Sequence, residues 1–116
     1  MSGTYEDKHS MIVTIVKKGK ARRICRAAKE TGAEGGTTML GRGTSTKEFQ
    51  KAFGLSLDEE REVVFTVVKK EIEDRVFEGI IESCEMNKPG TGIAFVMDLK
   101  HVAGIAHLLK EVVRDE

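Results

Sequence analysis

The sequence is short of cysteine, of net charge and of long apolar runs, and each shortage excludes a class of protein. Only Cys25 and Cys84 occur in 116 residues, each alone in a segment of helical pattern and without the paired spacing of a zinc site or redox motif. They read as small buried apolar residues in a reducing compartment, and no catalytic thiol is expected. The 19 basic and 19 acidic side chains cancel, so no global field draws the chain to nucleic acid or to an anionic membrane surface. Hydrophobic residues make up 40% of the chain but never form the roughly 18-residue run of a membrane span. Residues 1–10 are polar and mixed in charge, unlike a secretory leader. They read as a flexible lead-in to one domain over 11–116, and a chain of this length buries a core without disulfide or metal staples. A cytoplasmic setting is expected.

Catalytic constellations are also missing. His9, His101 and His107 are scattered, and the last two, six residues apart, would lie on different faces of a helix, so no metal pair is expected. An acylphosphatase-type enzyme would need an arginine in the loop after the first strand; Lys17-Lys-Gly-Lys20 has none, and the sole asparagine, Asn87, stands in another loop. The chain does not read as an enzyme.

What is present is an alternation of strand and helix patterns. Met11-Ile-Val-Thr-Ile-Val16 is β-branched and apolar on both faces, as in a covered central strand. Ala21, Ile24, Cys25 and Ala28 then recur at helical spacing up to Gly32, which predicts a helix over about 20–31. Thr37-Thr-Met-Leu40 suits a second strand, stopped by Gly41-Arg-Gly43. Residues 42–62 are polar and mixed in charge apart from Phe49, Phe53, Leu55 and Leu57. They read as a long functional loop that moves in the absence of a partner, or as a loop holding a short helix with Phe49 and Phe53 at i, i+4. Val63-Val-Phe-Thr-Val-Val68 repeats the first strand's composition. Ile72, Val76, Ile80, Ile81 and Cys84 predict a second helix over about 70–85. Asn87-Lys-Pro-Gly-Thr-Gly92 is a turn-rich loop into a strand at Ile93-Ala-Phe-Val-Met97, and Val102, Ile105, Ala106, Leu109 and Val113 suit a terminal helix.

The order β-α-β-β-α-β is the α+β, ferredoxin-like arrangement, an antiparallel sheet with both helices on one face. Strands apolar on both sides leave the other face in need of a cover, and association with further copies supplies one. Topology names no function; local motifs are more informative. Lys88-Pro-Gly-Thr-Gly-Ile-Ala-Phe-Val96 resembles the loop-and-strand signature of the P-II signal-transduction proteins, with Gly90, Gly92, Phe95 and Val96 in register. Gly32-x-x-Gly35-x-Thr37 resembles the start of that family's second strand, and Gly41-Arg42-Gly43 the glycine-arginine stretch that opens its long recognition loop. The resemblance covers roughly residues 11–100.

The resemblance implies a homotrimer with nucleotide clefts between subunits. Thr37 and the backbone near Val67 would border an adenine ring, Gly41, Arg42 and Gly43 would lie at the cleft, and Lys88 with the backbone of Gly90, Thr91 and Gly92 would approach phosphates. Each has a plainer role: Gly90 and Gly92 as shapers of a tight loop, Arg42 as a solvated charge, Thr37 as a strand residue, and Lys17, Lys18 and Lys20 as a solvated helix entrance rather than a phosphate site. The departures bear on the ligand. Ile93 stands where the family usually has a second lysine, Lys100 and His101 replace its arginine pair, and Tyr5, the only tyrosine, lies outside the long loop. Nor does Gly43-Thr44 supply the glutamine of the nitrogen-sensing members, so ammonium-transporter control does not carry over. The expectation is a regulator that takes an adenine nucleotide, AMP or ADP and weakly ATP, and acts on a membrane transporter or cytoplasmic enzyme through its long loop. The rival is a trimeric interaction or metal-tolerance type protein that binds no nucleotide.

Overall fold

The computed structural model describes residues 8–33, 36–43 and 59–104. β1 (His9–Lys17) leads through a turn into α1 (Ala21–Glu30), then come β2 (Thr37–Gly43), β3 (Glu59–Lys69), a 3₁₀ turn over Lys70–Ile72, α2 (Glu73–Ser83) and β4 (Gly92–Leu99). The strands form one sheet in the order β2-β3-β1-β4, antiparallel throughout. This is the ferredoxin-like arrangement expected from the order of elements.

Side chains alternate across a strand, so the register sorts the sheet into two faces. Ile12 lies opposite Thr66 and Val96, and Val16 opposite Glu62 and Gly92, which puts Ile12, Val16, Val64 and Val68 on one face. There they form a continuous core with Ile24, Ala27 and Ala28 of α1 and Val76 and Ile80 of α2. The alanines on α1 let that helix sit low on the sheet, while Ile12, Ile24, Val76 and Ile80 are wholly buried; each such side chain contributes about 1.5–3 kcal/mol.

The opposite face carries Met11, Val13 and Ile15 of β1, Val63, Phe65 and Val67 of β3, and Ile93, Phe95 and Met97 of β4. No described helix covers it. Ile93 is 53% exposed, Phe95 41% and Met97 47%, so the edge strand presents an apolar row to solvent.

Several boundaries differ from the sequence reading. The lead-in expected over 1–10 ends earlier, because His9 and Ser10 belong to β1 and are buried; the Ser10 hydroxyl hydrogen-bonds to the Glu73 carboxylate across to α2, which makes a polar residue compatible with the core. The long loop expected over about 42–62 is narrower at both ends, since β2 runs on to Gly43 and β3 begins at Glu59. Charged residues there pair as strands at the end of the sheet, where Arg42 faces Glu60 and Gly41 faces Arg61. Phe49 and Phe53 lie outside the described residues. The terminal helix expected from Val102 does not start there: 102–104 are non-helical and Gly104 has φ +81°, and its remainder lies outside the described residues. Cys25 and Cys84 are half-buried at the margin of the core rather than sealed within it.

Candidate functional site

The strand ends bring two glycine-rich segments to the same end of the sheet but to opposite edges. Gly41 and Gly43 close β2, while Gly92 opens β4 opposite Val16. In the row Leu40, Glu62, Val16, Gly92 three strand spacings separate the edges, roughly 14 Å at 4.8 Å per spacing. One chain therefore does not bring Gly41, Arg42 and Gly43 against Lys88, Gly90, Thr91 and Gly92. Thr37 lies at the other end of β2, opposite Phe65, with Val67 two residues further along β3. Both stand on the helix-free face, with Gly41 and Gly43, by the alternation of the strand. Thr37 is exposed and Val67 half-buried.

Arg42 falls on the helix side of the sheet, opposite Glu60. Lys18 meets the same carboxylate at 3.0 Å. The Lys18 ammonium, by hydrogen bond and charge, and then the Arg42 guanidinium hold the Glu60 carboxyl below its ordinary value. The arginine expected at the cleft is thus drawn toward a cluster that ties β2 and β3 to the turn after β1.

The glycines have local reasons of their own. A Cβ on Gly43 would lie 2.9 Å from Arg61 Nε, so this residue leaves room for the Arg61 side chain, which is only 8% exposed. Gly90 and Gly92 both have positive φ, +84° and +138°, and a Cβ on Gly92 would stand 2.3 Å from the Ile15 carbonyl oxygen. No other residue fits there without moving β4 off β1. Between helix and strand the loop is closed by its own contacts: the Thr91 hydroxyl donates to the Lys88 carbonyl at 2.9 Å, and Lys88 Nζ donates to Glu85 Oε1 at 2.9 Å. That bond, the charge of Lys88 and, more weakly, Arg23 keep the Glu85 carboxyl below its usual range.

Two residues escaped the sequence reading. Glu62 Oε1 accepts from the backbone N–H of Gly19 at 2.6 Å and of Ala21 at 3.0 Å, capping α1, whose N-terminal residue Lys20 provides no side-chain cap. Arg61 is the other, buried beside Gly43. Both sit in a charged run that looks like loop, and their roles depend on partners distant in sequence. Among the described residues no group of three histidine, cysteine, aspartate or glutamate side chains could hold a metal, and no helix is long and apolar enough to cross a membrane.

The geometry and motifs have a counterpart in known proteins. The family model described as Nitrogen regulatory protein P-II matches residues 9–107. The chain belongs to the P-II family. Among solved structures it is similar to Arabidopsis thaliana PII bound to citrate, 23% identical, with a TM-score of 0.65 and coverage of 86% of this chain and 85% of that one. It is also similar to a Bacillus cereus protein related to NIF3, 17% identical with a TM-score of 0.61; 84% of this chain is covered but only 27% of that protein. At these identities both show the fold. No curated protein sequence matches the chain. P-II membership identifies a regulatory, signal-transducing protein, and the matched span takes in every described strand and both helices.

Proposed function

We propose that this P-II protein acts as a homotrimer that binds an adenine nucleotide in clefts between subunits and regulates a partner protein through the segment joining β2 to β3. The observation that carries the reading is the split of the site. Gly41, Arg42 and Gly43 lie at one edge of the sheet and Lys88, Gly90, Thr91 and Gly92 at the other, at the same end. A neighbouring copy would set the second edge against the first, and the apolar helix-free face offers the surface for such packing. Thr37 and the backbone near Val67 would then border the base, and the backbone amides of residues 90–92 with the exposed Lys88 ammonium would meet phosphate oxygens.

The phosphate half is the poorer half. Ile93, in the position where the family usually has a lysine, is an apolar side chain on the helix-free face, and the exposed Lys100 and His101 stand in place of an arginine pair. AMP or ADP should therefore bind at least as well as ATP, without hydrolysis. The regulated partner, in this reading, is a transporter or an enzyme of the cytoplasm.

Titration calorimetry with AMP, ADP and ATP tests this. Lys88→Ala should weaken binding by about 1.5–3 kcal/mol if the ammonium meets a phosphate. Tight ATP binding that survives Lys88→Ala would refute the site, and failure of every adenine nucleotide to bind would favour the reading of a trimeric interaction protein without a nucleotide.

A further inference from the structure

A cavity of about 380 Å³ lies within a single subunit, between the end of β1, the first turn of α1 and the segment that follows α2. Its size is at the small end of the range for small-molecule sites, about 300–1,000 Å³. Lys17, Lys20 and Arg23 all line it, against one carboxylate, Glu85. Glu85 is already engaged by Lys88 at 2.9 Å, whereas Lys17, Lys20 and Arg23 take part in no ion pair among the described residues. Arg23 acts on Glu85 only at a distance and more weakly than Lys88, so three cations line one concavity against a single carboxylate that is already paired.

The rest of the lining suits a compact guest. Val16 and Ile24 supply an apolar floor, and the Cys84 sulfur adds a side that carries no charge at neutral pH, since burial raises its thiol above the ordinary value of 9.0. Gly90 and Thr91 form part of the rim. The cap of α1 does not compete for this space: Glu62, which satisfies the Gly19 and Ala21 amides, is not among the lining residues.

We infer that this intra-subunit cavity is a second effector site, which takes a compact oxyanion of two or more charges on Lys17, Lys20 and Arg23. The chemistry is that of charge-assisted hydrogen bonds from ammonium and guanidinium donors to phosphoryl or carboxyl oxygens. The inference does not depend on the inter-subunit nucleotide cleft, because Lys17, Lys20 and Arg23, which carry it, have no part in that cleft. Its only overlap with that cleft is the loop at Gly90 and Thr91.

The test uses the full chain with inorganic pyrophosphate as the phosphoryl probe and tricarballylate as the carboxyl probe, at ionic strength held constant with sodium chloride. At least one probe should bind saturably, and the tighter one identifies the oxyanion class. Amide chemical-shift changes should centre on residues 20–24 and 84–85. The double variant Lys20→Gln, Arg23→Gln, at two exposed positions, should weaken that probe at least tenfold; the charge-keeping Lys20→Arg, Arg23→Lys should restore it to within about threefold. Arg42→Gln, at the opposite edge of the sheet, should leave it unchanged. The inference is overturned if neither probe binds saturably, if the glutamine variant binds as the parent does, or if shifts centre on residues 41–43 and Arg42→Gln abolishes binding. Adenine nucleotide affinity measured on the glutamine variant should stay within twofold. Its loss alongside the probe would mean that one site takes both, and would overturn the claim of a second one.

Discussion

The two faces of this sheet are built from the same kind of residue and end in different states. On one, Ile12, Val16, Val64 and Val68 meet α1 and α2 and are almost completely buried. On the other, Val13 of the central strand is 5% exposed, while Ile93, Phe95 and Met97 on the edge strand remain 41–53% exposed. Apolar alternation on both faces of a strand says that two covers are needed, and this chain's described helices supply one. The difference separates what the described helices of this chain cover from what the proposed trimer would cover.

The largest expected effects set one face against the other. Ile80→Ala opens a cavity in the helix-covered core and should cost about 2–5 kcal/mol of stability in chemical denaturation. Phe95→Glu, on the open face, should leave the subunit's secondary structure intact by circular dichroism but stop association at micromolar concentration. If Phe95→Glu unfolds the chain outright or leaves its mass unchanged, the distinction between the faces fails.

A smaller effect is expected at the β1–β4 seam. Gly92→Ala would place a methyl group 2.3 Å from the Ile15 carbonyl oxygen at a φ of +138°, and should destabilise the fold by about 1–3 kcal/mol, with faster amide exchange along β4. A neutral outcome would mean that the loop before β4 is free to shift, and that its glycines serve a ligand more than the strand.

Smaller again is the cap. Glu62→Ala removes the acceptor for Gly19 and Ala21 and should cost about 0.5–2 kcal/mol, together with faster exchange in the first turn of α1. Smallest is the acid response of the exposed pairs Lys18–Glu60 and Lys88–Glu85. Both carboxyls are held below the ordinary 4.5, so their contribution is complete above that pH and is lost as pH falls through the lowered folded values. Exposed pairs contribute little. Thermal melts on acidification should fall slightly less in Lys18→Gln than in the parent, and a larger fall would contradict this assignment.

The sequence shows where apolar periodicity decides the structure. Ala21, Ile24 and Ala28 mark α1, Val76 and Ile80 mark α2, and the valine-rich runs mark β1 and β3, because burial of those stripes is what forms the elements. It fails where pairing, not burial, decides. Glu59, Glu60, Arg61 and Glu62 read as loop, yet they extend β3 because β2 continues alongside them, with Glu60 paired to Lys18 and Glu62 capping α1. Ser10 reads as lead-in because its partner, Glu73, is 63 positions away. In the candidate site the glycines at 90 and 92 are legible from composition, and their positive φ gives the reason. The direction of Arg42 toward the helix side, and the roles of Arg61 and Glu62, follow from strand register and from contacts across the fold, which no local pattern encodes.

Whether the helix-free face is an interface, with the site completed between subunits, is decided by the mass of the full chain in solution. Light scattering coupled to gel filtration at micromolar concentration should give three times the 12.8 kDa chain mass, and a stable species of 12.8 kDa would contradict the account.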